Sequence, residues 1–302
     1  MDKKVTIILL NYCGTEDTLN CIKSLEQIDY NNYEILVVDN ASPDNSYKTL
    51  KEELKDTPHI LLKSPCNDGF AKGNNIGIEY AMKKGTDYIL LLNNDTLVDK
   101  DFLKELVKCY ENHTNPGIVG SKILYEGNRD HIWYGGGDID FKKFYGYHLG
   151  EGHKDEGQYN KERPINFITG CVMLIGKEVI DKIGGLPEEY FMYFEDVDYC
   201  IKAKEAGYEL YYCPKSIVYH KVSASSGGEE STFGIKWGTR NRIIFMNKFK
   251  YKVSKKKYLK SKMYFYSTRI IKLLQFSIKR EFDKSKALKE GIKMGRAVTN
   301  TK

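Results

Sequence analysis

Apolar residues fall along the first hundred positions in two alternating patterns. Short, nearly unbroken apolar runs, "VTIILL" (5–10), "YEILVVD" (33–39), "HILLK" (59–63) and "DYILLLNND" (87–95), predict strands, the last buried on both faces. Between them the apolar residues spread to helical spacing. Leu19, Ile22, Leu25 and Ile28 mark one face of a helix over residues 16–28. Further helices are predicted over 46–54, 72–84 (ending before Gly85) and 100–110. Strand–helix alternation with short connections implies parallel strands covered by helices on both faces.

From about Gly117 the alternation stops. "GIVGSKILY", "FITGCVMLI" and "YELYYCPKSIVYH" read as strands joined by Gly- and Tyr-rich loops, and a helix is expected from Glu195 to about Ala206, stopped by Gly207. Beyond Trp237 the chain reads as helical and basic. There Tyr258, Leu259, Tyr264, Phe265, Ile270, Ile271, Leu273, Leu274, Phe276 and Ile278 make an aromatic-rich face among lysines. The expected architecture is α/β: a mostly parallel, Rossmann-like central sheet flanked by helices over residues 1–98, an α+β half over 99–250, and a basic amphipathic helical extension over 251–302.

The predicted strands end in polar clusters, where ligands sit in sheets of this kind. Asp39, in "VVDNAS", can accept from a nucleobase imide or a ribose hydroxyl, or can simply cap a turn. "NDGFAKGNNIG" (67–77) allows close backbone approach and amide donation to phosphate or ribose, or is a plain turn and helix start; it is neither a phosphate loop nor a dinucleotide fingerprint. Asn93, Asn94 and Asp95 offer one carboxylate and two amides to a hard divalent cation shared with a diphosphate, or form a strand-to-turn transition. Glu195, Asp196 and Asp198 fall at a helix start, which acidic residues favour electrostatically; a carboxylate there can also act as general base. His220 ends a strand, where a lone histidine is most often structural; here it can complete the coordination that Asp95 begins.

Composition narrows the picture. At 41% hydrophobic and 29% charged, the 302 residues suit a globular protein with a real core. No apolar run approaches the roughly 18 residues of a membrane span. The N-terminal apolar run is too short for a signal peptide, so a cytoplasmic location is expected. The 7 cysteines contain no CxxC pair, an odd count that argues for reduced structural residues over a disulfide framework or a structural zinc site. The net charge of +6 hides an asymmetry: from Lys248 onward there are 18 basic and 3 acidic residues, on an otherwise acidic body.

The ordered set "VTIILLNY", "EILVVDNAS", "NDGFAKGNNIG", "ILLLNNDT", "FITGCVMLI", "FEDVDYCIKAKEAGYEL" and "VYHKVSAS" closely resembles the inverting family 2 glycosyltransferases of the GT-A fold, in particular their rhamnosyltransferase-like branch. The resemblance covers about residues 5–245. It implies a nucleotide-binding half over 1–98 and an acceptor and catalytic half over 99–250. Asn11, Tyr12, Asp39, Asn40 and Ser42 would hold the nucleoside; Asn67, Gly69, Phe70, Gly73 and Asn74 would line the ribose and diphosphate. Asn93, Asn94 and Asp95 match the family's Asp-x-Asp motif, with Asn93 in place of its first aspartate. Asp95 and His220 would bind Mn2+ or Mg2+, and Asp196, with Glu195 beside it, would be the catalytic base. The implied donor is a UDP- or dTDP-sugar, and the acceptor a hydroxyl of a glycan or lipid-linked oligosaccharide in surface-polysaccharide synthesis.

Two other classes are compatible with parts of the pattern. A sugar-nucleotide nucleotidyltransferase would need a Gly-rich loop with Arg or Lys after the first strand, which "NYCGTEDT" lacks. A non-catalytic nucleotide-sugar-binding protein would keep the pocket without the base. For the basic tail, tyrosines and leucines at helical spacing favour an anionic membrane surface on the inner face of the cell membrane over nucleic acid; packing on the body or in a homodimer is the alternative.

Overall fold

The computed structural model describes residues 2–222 and 230–300. Ser223, Ala224 and Ser225 of the "VYHKVSAS" stretch lie outside the described residues, as do the last two of the tail. The chain forms two compact units. The first comprises Met1–Asp138, His148–Phe191 and Glu195–Ser225; the second comprises Ile139–Tyr147, Met192–Phe194 and Ser226–Lys302.

The first unit opens with the expected alternation: β1 (Val5–Asn11), α1 (Thr15–Leu25), β2 (Tyr33–Asp39), α2 (Ser46–Glu53), β3 (Ile60–Lys63), α3 (Phe70–Lys83) and β4 (Tyr88–Asn93). β2 and β4 flank β1 in parallel, and β3 extends the sheet beyond β2. Ile7, Ile8, Leu9, Leu36, Leu90 and Leu91 are wholly buried. Covered on both faces, each such side chain contributes about 1.5–3 kcal/mol of burial. Helix α3 starts at Phe70, ahead of the expected position, because Gly69 precedes it at φ +96. L-residues rarely adopt that conformation, and a Cβ there would strike the Phe191 carbonyl. The same helix packs closely on β1: a Cβ at Gly73 would lie 2.6 Å from Leu10, and one at Gly77 2.7 Å from Ile8.

The rest of this unit adds β5 (Thr96–Val98), α4 (Phe102–Asn112), β6 (Pro116–Tyr125), β7 (Asn128–Tyr134), a hairpin of β8 (Gly137–Asp140) and β9 (Tyr145–His148) whose tip belongs to the second unit, then β10 (Arg163–Ile165), β11 (Val172–Gly176), α5 (Lys177–Ile183), α6 (Glu195–Glu205) and β12 (Glu209–His220). The central sheet runs β10-β12-β6-β11-β4-β1-β2-β3, with β5 on β12 and β7 on β6. β11 is antiparallel to both β4 and β6, and β12 runs parallel to β6. Only the second half of "FITGCVMLI" is strand; its first half is a loop that carries Thr169, Gly170 and Cys171 to the end of β4.

The second unit contains three long helices, α7 (Thr232–Lys248), α8 (Lys255–Ile278) and α9 (Phe282–Asn300). Ser231 caps α7 by accepting from Gly234 N at 3.0 Å. Buried Asn241 donates to the carbonyls of Met192 (2.7 Å) and Tyr193 (3.1 Å). Ile235, Ala287 and Leu288 form a small core with Leu273, Phe276 and Ile292 packed against it. On α8, Leu259, Met263, Tyr264, Ile270, Ile271, Leu274 and Ile278 remain exposed. No helix among the described residues is long and apolar enough to cross a membrane.

Candidate functional site

The ends of β1, β2 and β4 are level. Asn11 pairs with Asp39 and Leu10 with Asn93 across the sheet, so three polar tips emerge along one edge of the first unit.

Two polar knots shape that edge. Asp39 is fully buried and its carboxylate accepts from Asn11 Nδ2 (2.8 Å), Ser42 Oγ (2.7 Å) and Ser42 N (3.1 Å). Asn11 Oδ1 in turn accepts from Gly14 N (3.2 Å) and Thr18 Oγ1 (3.0 Å). Asn11 is therefore engaged on both ends of its amide, and its role in this geometry is to orient Asp39. Tyr12, 41% exposed, is the aromatic group at the tip of β1 that faces solvent. In the second knot, Asn40 Nδ2 donates to Asn67 Oδ1 (3.0 Å) and Gly69 O (3.2 Å), and Asn67 Oδ1 also accepts from Gly69 N (3.1 Å). Asn40 Oδ1 is buried with no protein partner. Such atoms are rare because leaving them unpaired is costly, and they concentrate where a ligand or water completes them. Asn74 donates to the Phe70 carbonyl at 2.9 Å within α3, and Gly73 faces Leu10; both sit at packing positions.

The "NND" turn divides its labour. Asn93 N–H donates to Cys171 O (2.9 Å), and its carbonyl accepts from Thr96 Oγ1 (2.7 Å). Asn94 Nδ2 turns toward α1 and donates to Thr18 Oγ1 at 2.8 Å. Asp95 meets His220, with Oδ1 3.1 Å from Nε2, because β5 pairs antiparallel with β12 and sets Thr96 opposite His220. Both side chains are nearly buried, and His220 Nδ1 has no protein partner. One carboxylate oxygen and one imidazole nitrogen suit Mn2+, which accepts nitrogen, better than Mg2+, which prefers an oxygen shell. With two protein donors, phosphate oxygens and water would have to complete the sphere.

Trp133 and His148 were not singled out in the sequence. Trp133 packs edge-on against His220 and His148, with centroids 4.4 and 4.5 Å away. His148 Nδ1 donates to Trp133 O at 3.2 Å. Burial depresses the His148 pKa to about 4, which keeps the ring neutral next to His220. The only sequence signal for this layer was "DHIWY" on the short strand β7.

Glu195 and Asp196 begin α6 directly after Tyr193 and Phe194, both in the left-handed region at φ 72 and 76. Asp196 Oδ2 accepts from Gly170 N at 3.0 Å and Oδ1 from Val197 N at 2.8 Å. A Cβ at Gly170 would lie 3.2 Å from the Phe70 ring and 3.6 Å from Asp196 Cβ, so Phe70, Gly170 and Asp196 form one contact group. The next residue, Cys171, is the one bonded to Asn93, so two consecutive residues join Asp196 to the "NND" turn. The environments of the two acids differ. Burial raises the Asp196 pKa, opposed by the backbone amides of Gly170 and Val197. Burial raises Glu195 well above the carboxylate range, the Asp196 charge raises it further, and Glu195 Oε2 has no protein partner. Burial therefore disfavours the charged form of both acids, more strongly at Glu195, while two backbone amides favour the charge on Asp196.

Solved structures share this fold. GalNAc-T7, crystallised with UDP, GalNAc and Mn2+, superposes at TM-score 0.64 and 16% identity over 80% of this chain and 48% of its own. The mannosyltransferase PcManGT of Pyrobaculum calidifontis, in complex with GDP-Man and Mn2+, does so at 0.61 and 15% over 100% of this chain and 79% of its own. In sequence, the chain is 26% identical over 244 residues to the low-salt glycan biosynthesis hexosyltransferase Agl10 of Haloferax volcanii, covering 80% of this chain and 75% of that protein. It is also 26% identical over 228 residues to the dTDP-rhamnosyl transferase RfbF of Shigella flexneri, covering 75% and 72%. The family model for Glycosyl transferase family 2 matches residues 5–184. With its mixed sheet, its aligned polar strand ends and that match over more than half its length, the chain belongs to glycosyl transferase family 2 and is a glycosyltransferase.

Proposed function

We propose that this glycosyltransferase moves a hexosyl or deoxyhexosyl group from a UDP- or dTDP-sugar to a hydroxyl of a glycan or lipid-linked oligosaccharide, with inversion at the anomeric carbon. The observation that carries the reading is the chain of contacts from Asp196 through Gly170 and Cys171 to the turn bearing Asp95, which meets His220. It joins a tuned carboxylate to a cation-binding pair in one unit.

In this reading Asp39, held by Asn11 and Ser42, and the exposed Tyr12 receive the nucleoside, while the Asn40–Asn67–Gly69 knot sets the loop beside the ribose and diphosphate. Asp95 and His220 would hold a divalent cation, which when bound would supply positive charge to offset that of the diphosphate leaving group. Asp196 removes the proton from the acceptor hydroxyl. As the C–O bond to the acceptor forms, the bond from the anomeric carbon to the diphosphate oxygen breaks, and the nucleoside diphosphate leaves with the electron pair. A single displacement inverts the configuration. The raised Glu195 pKa disfavours a second negative charge beside Asp196, which helps Asp196 stay ionised and open to a proton.

The exposed face of α8 supports a place for this reaction at an anionic membrane surface. Leu259, Ile270, Met263, Leu274, Ile278, Ile271 and Tyr264 fall within an arc of about 140° at 100° per residue. Lys255, Lys257, Lys262, Lys272 and Lys279 fall outside that arc and Lys256 and Lys260 within it, in a tail with 18 basic and 3 acidic residues. A lipid-linked acceptor would be presented there.

A thermal-shift screen of nucleotides and nucleotide sugars with Mn2+, followed by transfer assays and NMR of the product anomer, tests the reading. Stabilisation by UDP or dTDP compounds and an inverted product are expected; a retained anomeric configuration overturns the mechanism. Sedimentation with phosphatidylglycerol vesicles should lose most bound protein when Leu259, Ile270, Leu274 and Ile278 are all changed to Ser. Unchanged sedimentation removes the membrane role.

A further inference from the structure

The absence of any CxxC pair argued against structural zinc in this sequence, yet the fold gathers a different donor set. Cys109 lies in the last turn of α4, and His113 follows the helix as its C-cap in extended backbone. Ligand atoms of Cys109, His113 and Glu162 all lie within 4.8 Å of one another. His113 Nε2 is 2.7 Å from Glu162 Oε1. The Cys109 thiol is in hydrogen-bond contact with the thiol of Cys213 on β12. Three donors, one sulfur, one nitrogen and one oxygen, therefore meet at one point of the first unit, and the Cys213 sulfur adjoins the Cys109 side of it.

We propose that Cys109, Cys213, His113 and Glu162 form a tetrahedral Zn2+ site that ties α4, β12 and the segment before β10 together. The donor types fit, since thiolate and imidazole select zinc over the oxygen-seeking cations. The spacing fits as well: tetrahedral zinc bonds of about 2.0–2.3 Å set ligand atoms roughly 3.4–3.8 Å apart, within a side-chain rotation of the present arrangement. The surroundings already orient the ligands. His113 stacks on Tyr211 with centroids 3.7 Å apart and planes 6° from parallel. The chain bulges after Cys213, where the register with β6 jumps to Ile217. The Cys213 thiol now donates to Glu105 O at 3.5 Å, and that proton leaves when the sulfur takes the metal. Cys109 and Cys213 are buried while Glu162 is exposed, so one side stays accessible for the ion.

This site is separate from the cation pair of the proposed mechanism. Cys213 and His220 lie on the same strand, and seven residues of extended chain span roughly 20 Å. Its role is structural and does not depend on the reading of the catalytic site.

The test uses the full chain, kept reduced with a phosphine and stripped of metal. Titration with Co2+ should give thiolate-to-cobalt charge-transfer absorption, displaced by stoichiometric Zn2+, and Zn2+ should raise the Tm by about 5 °C at 100-fold excess over Kd. His113→Ala, at a partly exposed helix end where the fold tolerates change, and Cys109→Ser should each weaken Zn2+ binding by about 100-fold or more. Asp95→Asn should leave the absorption unchanged. No charge-transfer band in the reduced wild type overturns the site, as does a band that persists in both Cys109→Ser and His113→Ala or vanishes in Asp95→Asn.

Discussion

His220 Nε2 lies 3.1 Å from Asp95 Oδ1, although the two residues are 125 positions apart. The pairing of β5 with β12 brings them together, and the edge of Trp133 packs on the imidazole. If this pair holds the cation that assists departure of the diphosphate, EDTA abolishes transfer and Mn2+ restores it. His220→Ala then raises the Mn2+ concentration needed for half-maximal rate by about 10-fold or more, and the Mn2+ EPR signal of the protein–nucleotide complex weakens in parallel. Full activity in excess chelator would remove both residues from that role.

Asp196 and Glu195 are adjacent but are expected to respond differently. Asp196→Asn leaves one oxygen to accept from the Gly170 and Val197 amides, keeps nucleotide binding, measured by calorimetry, and lowers kcat by about 10²–10⁴. Glu195→Gln retains most of the rate, because burial already disfavours a charge on the side chain it replaces. Wild-type turnover in the Asn variant would refute the base assignment.

Glu195 also predicts a pH dependence of stability. Its folded pKa is raised by burial above the unfolded value of about 4.3. Between those two values the native state holds a proton that the unfolded chain has released, so stability falls as pH rises, by up to about 1.4 kcal/mol per pH unit, and levels off above the folded pKa. Glu195→Gln removes this slope. The variant's Tm advantage over the parent should be near zero at about pH 4 and grow toward neutrality; parallel Tm curves would contradict the burial argument.

The sequence-assigned glycines Gly69 and Gly73 have different physical reasons to be glycine. Gly69→Ala meets both a left-handed φ of +96 and the Phe191 carbonyl, and should cost about 3 kcal/mol or more in urea unfolding. Gly73→Ala, with no positive φ, meets the flexible end of Leu10 and, at 3.2 Å, Asn40 Cγ, and a loss of about 1–3 kcal/mol is expected. Equal losses would show that backbone strain at Gly69 is negligible.

Much of the first half was legible because parallel strands covered on both faces must be continuously apolar, and amphipathic helices must repeat at their own period. β1, β2, β4 and α6 stand close to where those patterns put them. Strands β5, β7, β8, β9 and β10 left no such trace: they are short, lie at edges or in hairpins, and draw their stability from partners distant in sequence. The tail's helical character was readable from periodicity, but that α7 belongs with α8 and α9 in a second compact unit was not.

The sequence alone determined the residue types at the strand ends, since "VVDN", "NND" and "FED" carry the carboxylates and amides in local motifs. Only tertiary structure decided which of them face one another. Asn11 and Asn94 turn inward to fix the frame around Asp39 and next to Asp95, while His220, Trp133 and His148 arrive from other strands and Gly170 from the loop before β11. The pairing of Cys109 with Cys213, and of His113 with Glu162, was equally invisible. Local periodicity reports what each segment buries; the register of non-consecutive strands, a property of the whole sheet, sets which buried and polar groups meet.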